Sequence, residues 1–190
     1  DRSLLQVWID FSKKCPEKFS EKECEKLWTH MKPGLTIRSL QSWAKEDNPH
    51  KYSEYMKTEF EELLKKSLSG DTYSVAKALY TKYFDRFVCA SIKHNTWFEF
   101  NNHKWNRVDG GYTLMKKISE EFVNDYMKVS SEYNLKAINT TGIEKEDLQK
   151  KASCFQKIVD KLLNLNYKKQ IMEESKYLFH DEEFEDKLDE

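Results

Sequence analysis

Apolar residues recur at three- and four-residue spacing over most of this 190-residue chain, and that spacing is typical of amphipathic helices. Capping boxes at Ser20-x-x-Glu23 and Thr141-x-x-Glu144, and Asn48 followed by Pro49, mark three of the helix starts. Gly70 marks a helix end. The pattern predicts helices over residues 3–14, 20–31, 36–44, 48–68, 72–84, 113–133, 143–164 and 167–179. We expect the acidic end of the chain to form a short helix or a frayed end.

The period changes from helical to alternating between residues 87 and 108. Residues 87–92 are apolar and partly β-branched, while 97–100 and 104–108 alternate aromatic and polar side chains, so all three segments are predicted strands. Short turns between them predict a three-stranded antiparallel meander. Because such a sheet is stable only when something covers a face, we expect the helix over 113–133 to pack on it.

Asn101 and Asn102 are the predicted centre of the second turn, since asparagine tolerates positive φ. This turn places Glu99 opposite Lys104 and Phe98 opposite Trp105. It also divides the ribbon into two faces. We expect the core face to carry Phe98, Phe100 and Trp105, and the other face to carry Trp97, Glu99, Lys104 and Asn106.

The predicted fold class is therefore α+β and predominantly helical, a helical bundle with a small three-stranded antiparallel meander. The predicted organisation has three parts: a helical domain over 1–47, a linker helix over 48–70, and a helical domain with the meander over 71–190. The chain begins at Asp1 without a methionine, so we expect it to be a piece of a longer protein.

Composition narrows the function classes. Charged residues make up 34% of the chain but the net charge is −1, so no overall basic field favours nucleic acid. Four scattered cysteines lack the spacing of a zinc site, and no apolar run is long enough to span a membrane. The five glycines form no phosphate-binding loop. We predict no catalytic residue and no metal site in this chain.

Nucleic-acid contact is the more serious possibility. Single-stranded DNA is held by cations that neutralise phosphates and by aromatic rings that stack on bases. The stretch around the meander offers both. The candidate nucleic-acid-binding residues are Lys93, His94, Trp97, Lys104, Arg107, Lys116 and Lys117. The alternative is that Trp97 is covered by a strand or a helix and that the lysines only solvate the rim.

The same stretch resembles a segment of the poxvirus-type primase-helicases of nucleocytoplasmic large DNA viruses. The shared pattern is the aromatic strand Trp97–Phe100, the basic-Trp pair Lys104-Trp105, Gly110-Gly111, and Lys116-Lys117 at a helix start. The segments W-I-D-F-S-K-K and S-L-Q-S-W-A-K resemble the end of the helical primase C-terminal domain of these proteins. The resemblance covers nearly the whole chain and ends where the superfamily 3 helicase motor of that family begins.

The resemblance implies a non-catalytic segment of an ATP-dependent DNA helicase/primase. Its role would be to link the primase to the superfamily 3 helicase, support hexamer assembly and guide single-stranded DNA. ATP and Mg²⁺ would belong to the motor outside this chain, which itself would need no cofactor. The implied partners are single-stranded or forked DNA, further copies in a ring and other viral replication proteins, without a membrane. The implied location is the host cytoplasm or a viral replication factory. The alternative is a protein-docking scaffold with no nucleic-acid contact.

Overall fold

The structure, a computed structural model, describes residues 2–30, 37–186 and 188. It divides into two compact units, residues 1–52 and 53–190, which we call the first and second units. The division falls inside one helix, and the domain limits expected from the sequence stay a prediction. The expected start of the third helix at Thr36 lies outside the described residues.

The first unit contains helices, two of which start at a capping side chain. They are α1 (Arg2–Ser12), α2 (Glu21–Thr29), α3 (Ile37–Asp47) and the first turn of α4 (Pro49–Lys66). Ser20 Oγ accepts from the backbone N–H of Glu23, which confirms that cap. Asn48 Oδ1 accepts from the backbone N–H of Lys51 at 3.0 Å, so the start at Pro49 is confirmed too.

The second unit is built mainly from helices. They are α5 (Thr72–Tyr83), α6 (Tyr112–Lys117), a π-helical turn (Ile118–Phe122), α7 (Val123–Ile138), α8 (Gly142–Leu162) and α9 (Leu165–Leu178). The single helix expected over 113–133 is thus interrupted by a π turn and continues to Ile138. The short link between α7 and α8 makes them an antiparallel pair. Thr141 is the N-cap residue of α8, as expected, but its side chain makes no capping hydrogen bond, so the predicted capping box does not form.

The three strands form the predicted antiparallel meander. They are β1 (Phe87–Ser91), β2 (Thr96–Asn101) and β3 (Lys104–Asp109), in the order β1-β2-β3. The α+β, predominantly helical class is therefore confirmed. Side chains from alternate positions of the sheet join the helices in one large core, to which the strands contribute Phe87, Cys89, Trp97 and Val108.

We predicted that the face with Phe98, Phe100 and Trp105 would meet the main core, and this prediction is wrong. Trp97 lies in the large core, whereas Phe98 belongs to a small separate cluster with Val88, Ala90 and Phe184. Phe100 remains 40% exposed. The physical reason is that the helices of the second unit cover the Trp97 face, and this depends on contacts distant in sequence.

The predicted turn is displaced by one residue. Asn102 and His103 have φ values of 54° and 62°, so they are the two central residues. Phe100 consequently pairs with Trp105, and Glu99 pairs with Asn106 instead of Lys104. This register gives six successive residue pairs between β2 and β3, and it sets Trp97 opposite Val108 on the core side. Since side chains alternate, the displacement changes partners but keeps each residue on its expected side.

The end of the chain is neither a helix nor frayed up to residue 186. The backbone N–H of Cys89 donates to Phe179 O at 3.0 Å, and that of Asp181 donates to Cys89 O at 3.1 Å. These bonds add a short parallel bridge beside β1. Residues after Asp181 then turn across the sheet, where Phe184 is 9% exposed.

Candidate nucleic-acid interface

Trp97 cannot be a stacking residue in this structure, because its side chain is fully buried. Its ring lies 5.6 Å from that of Phe179, centroid to centroid. Its indole Nε1–H donates to Asn95 Oδ1 at 2.9 Å, which satisfies the one polar atom of the ring. The candidate assignment of Trp97 to DNA is thus corrected: it is a core residue.

The basic candidates do not converge on one patch. Lys93 and His94 are exposed in the turn between β1 and β2. Lys104 begins β3 beside the other turn. Because Thr96 pairs with Asp109, the first turn lies level with the end of β3, so about five residues at roughly 3.3 Å each separate it from Lys104 along the strand. The two groups therefore sit at opposite ends of the ribbon, roughly 16 Å apart.

Arg107 occupies a different face from Lys104. It pairs with Phe98, and directly paired residues share a face, so Arg107 is on the side of the sheet that carries Phe98 and Trp105. Lys104 alternates with Trp105 and belongs to the Trp97 side. Within the described part of the chain, neither side chain has a carboxylate within salt-bridge distance. Both charges are available to solvent.

The two lysines of α6 are paired within the chain. Lys116 lies 3.6 Å from Glu120, and Lys117 Nζ donates to Glu121 Oε1 at 2.6 Å. The Lys117 side chain is only 13% exposed and lies over the Tyr83 ring. Lys117 therefore has little surface left for phosphate, and Lys116 is a surface residue with an internal partner.

Glu121 is the centre of a polar network that the sequence did not reveal. Tyr83 Oη–H donates to Glu121 Oε2 at 3.0 Å. The hydrogen bond from Lys117 holds the pKa of Glu121 below its ordinary value, more than partial burial raises it. Burial first, then the hydrogen bond to Glu121, raises the pKa of Tyr83. The network ties α5 to the π turn.

A second ion pair lines a groove of about 450 Å³ between α4, α5 and α7. Lys82 bonds to Asp125, and its ammonium lies 5.6 Å from the centre of the Phe60 ring. Lys57, Lys65 and Lys128 on the rim alternate with acidic side chains along the two helices. Sequence reasoning could not find this groove, because each residue that lines it belongs to an ordinary mixed-charge helix face.

Phe184 is the other residue that sequence reasoning missed. Its ring lies 5.2 Å from Phe98 and 4.9 Å from Trp105, centroid to centroid. The available signal was a single aromatic residue within an acidic run, D-E-E-F-E-D. An aromatic residue in an acidic run is easily noticed, but the neighbouring residues do not predict what it packs against.

In the described part of the chain, no helix is both long and apolar enough to cross a membrane. The same residues contain no group of three or more His, Cys, Asp or Glu side chains arranged to hold a metal ion. The buried Cys89 thiol has its pKa raised to about 11 by burial.

Several known viral proteins are similar to this chain in sequence. Residues 1–44 match the family described as Primase C terminal 2 (PriCT-2). A candidate helicase of Acanthamoeba polyphaga mimivirus is 37% identical over 193 residues, covering 100% of this chain and 20% of the relative. A candidate primase of African swine fever virus is 28% identical over 212 residues, covering 97% of this chain and 22% of the relative. A candidate helicase of frog virus 3 is 30% identical over 118 residues, covering 61% of this chain and 12% of the relative.

These matches define a primase/helicase-related region of a viral replication protein. The chain is homologous to part of the primase-helicase proteins of large DNA viruses, which confirms the resemblance found in the sequence. It spans about a fifth of the length of the mimivirus and African swine fever virus relatives.

Proposed function

We propose that this chain connects a primase module to a superfamily 3 helicase motor, supports the motor's hexameric ring and guides single-stranded DNA toward it. One observation carries the proposal: a primase C-terminal match over residues 1–44 is followed by a folded unit, 53–190, within a chain whose relatives bear both primase and helicase names. ATP hydrolysis with Mg²⁺ would take place outside this chain. The protein would act in the host cytoplasm or a viral replication factory.

The linking role is tested in the full-length protein. We expect removal of residues 53–190 to abolish the ring, because this unit would support it, and to leave primer synthesis measurable, because the primase would lie outside the deleted residues. Sedimentation velocity reports the ring, and a primer-extension assay reports the primase. A ring that persists after the deletion would contradict the proposal.

Guidance of DNA is supported by three exposed cations at the ribbon, Lys93, Lys104 and Arg107. Binding of labelled single-stranded DNA, measured by fluorescence anisotropy, should weaken with salt by about 0.7 log unit per log unit for each phosphate contact. We expect Lys93→Ala/Lys104→Ala/Arg107→Ala to weaken binding and flatten that slope.

The matched control is Lys145→Ala/Lys150→Ala/Lys169→Ala, which removes the same three charges from exposed helix positions. It should have the smaller effect. Equal losses in both variants would show that only net charge matters and would contradict a specific contact at the ribbon.

A protein-docking scaffold is the second candidate, favoured by an apolar stripe on α7. Met127, Leu135 and Ile138 share one helix face and are 41%, 61% and 73% exposed. Other subunits or viral replication proteins would pack on this stripe. Leu135→Glu/Ile138→Glu should then reduce assembly of the full-length protein, while Tyr177→Glu, at a position 69% exposed, should not. No ssDNA binding at any salt concentration would favour this scaffold over the guide.

A further inference from the structure

The side of the sheet away from the main core combines aromatic rings with an exposed cation. We call Phe98, Phe100, Trp105 and Arg107 the outer sheet face. The rings of Phe100 and Trp105 lie 5.2 Å apart, and Phe98 pairs with Arg107 on the neighbouring strand. Three rings and a guanidinium on one face of a strand pair have the chemistry that holds single-stranded nucleic acid by stacking and charge.

In the structure this face is occupied by the chain's own acidic end. Residues 181–186, which we call the C-terminal cover, read D-E-E-F-E-D. Phe184 packs on Phe98 at 5.2 Å and on Trp105 at 4.9 Å. The cover therefore places one aromatic ring on the rings of the sheet, with carboxylates on both sides of it. A nucleotide strand would place a base there, with phosphates on both sides.

The cover is attached differently from the segment before it. Phe179 is fully buried in the large core, and the first residue of the cover, Asp181, is still bonded to β1. Phe184 instead belongs to the small cluster with Val88, Ala90 and Phe98, which is separate from that core. Residues 182–186 form turns, not a helix or strand. Displacing Phe184 would therefore leave the main core intact.

We propose that the outer sheet face is a stacking site for single-stranded DNA and that the C-terminal cover occludes it until a strand displaces Phe184. This inference rests on the proposed DNA contact and adds its place and its regulation. The cover competes because its Phe184 ring occupies the rings of Phe98 and Trp105, on which a base would stack.

The test compares two strands of equal length and charge, an oligothymidylate and an abasic strand, by anisotropy at moderate salt. We expect Phe184→Ala to bind the oligothymidylate about tenfold tighter than the unaltered protein, the effect of roughly one base–aromatic stack. Its affinity for the abasic strand should not change. Adding Trp105→Ala to Phe184→Ala should cancel the gain.

The charge control is Glu182→Gln/Glu185→Gln/Asp186→Asn, which keeps Phe184 in place. Removing acidic charge reduces repulsion of any phosphate chain, so the affinity of this variant should rise equally for both strands. The proposal is overturned if Phe184→Ala raises the affinity for both strands equally, or raises neither. A Phe184→Ala variant that no longer unfolds cooperatively also overturns it, since a displaceable cover must be dispensable for folding.

Hydrogen exchange of the unaltered protein gives a second readout. Saturating oligothymidylate should raise amide exchange over 182–186 and lower it over 98–107, whereas unchanged exchange of the cover on binding contradicts displacement. The two proposals fail separately. If salt-sensitive binding is lost in the Lys93/Lys104/Arg107 variant but is unaffected by Phe184→Ala, occlusion by the cover is rejected and the proposed guidance of DNA stands. If neither the unaltered protein nor the Phe184→Ala variant binds single-stranded DNA, both proposals are rejected.

Discussion

Trp97 has the largest of the fully buried side chains, and its indole nitrogen is satisfied by Asn95 inside the protein. Burial and a local hydrogen bond are what a structural tryptophan needs. The nearby cations Lys93 and Lys104 are solvent-exposed at opposite ends of the ribbon, so they do not frame the ring. At the scale of single residues, Trp97 is thus a core residue, although it lies in a basic stretch of the sequence.

Trp97→Ala should lower the free energy of unfolding by about 3–5 kcal/mol, because it removes a large ring from a close-packed core. Urea unfolding at neutral pH measures this. Tyr177→Ala, at a position 69% exposed, is the control and should change stability by less than about 0.5 kcal/mol. A small loss of stability together with weaker DNA binding would return Trp97 to the DNA surface.

Glu121 predicts a pH dependence. Its pKa in the folded protein is below the ordinary value of 4.5 because Lys117 donates to it. The carboxylate therefore contributes stability that is present above pH 4.5 and is lost as the pH falls through the folded-state pKa. Glu121→Gln should be less stable than the unaltered protein at pH 7, and the difference should shrink at acid pH.

Urea unfolding between pH 7 and pH 3 measures that difference. Glu146→Gln, at an exposed position of α8, is the matched control and should show little difference at any pH. A stability difference for Glu121→Gln that does not vary with pH would assign the effect to packing instead of charge.

At the scale of elements, the junction between β3 and α6 is set by two glycines with positive φ. A Cβ at Gly111 would lie 2.8 Å from Met172 Cε and 3.1 Å from two ring carbons of Trp97. A Cβ at Gly110 would meet only Asn95 Nδ2, at 3.3 Å. The helix can therefore start close against the core only because residue 111 lacks a side chain.

Gly111→Ala should destabilise the protein more than Gly110→Ala. Both substitutions place an L residue at positive φ, which costs about 1–2 kcal/mol. Only the first also forces a methyl group against the Trp97 ring, and overpacking adds about 1–3 kcal/mol. Denaturant unfolding of the two variants measures the difference, and equal losses would show that the ring and Met172 move aside freely.

At the scale of the whole molecule, the two units differ in how much apolar surface they bury. The second unit has a large core that includes Leu64 of α4. In the first unit, Val7, Phe11 and Leu27 are 65%, 67% and 56% exposed. Small segments bury too little surface to be stable alone, whereas about 140 residues with one core can be.

A chain of residues 48–190, which keeps α4 and its cap, should therefore unfold in one cooperative transition. Residues 1–47 alone should show a gradual loss of helical signal on heating. Circular dichroism and calorimetry of the two pieces measure this. A cooperative transition in 1–47, or its absence in 48–190, would contradict the assignment of stability to the second unit.

Much of the local structure could be predicted because its causes are local. The stripe of Phe155, Val159 and Leu162 on α8 follows from helical spacing, and the start of α4 follows from Asn48 and Pro49. The meander follows from alternation and short turns. The candidate site was predicted less well: Lys93, Lys104 and Arg107 are exposed as expected, but Lys117 is paired and Trp97 is buried.

The sequence by itself determined most of the elements, the α+β class and the relationship to viral primase-helicases, because spacing, caps and motifs act over a few residues. Tertiary structure alone decided which face of the sheet meets the main core, since both faces carry aromatic rings. It also decided the register, where Asn102 and His103 form the turn that sets Trp97 opposite Val108. Finally, it brought Phe184 onto Phe98 from 86 positions along the chain, a contact that no local pattern encodes.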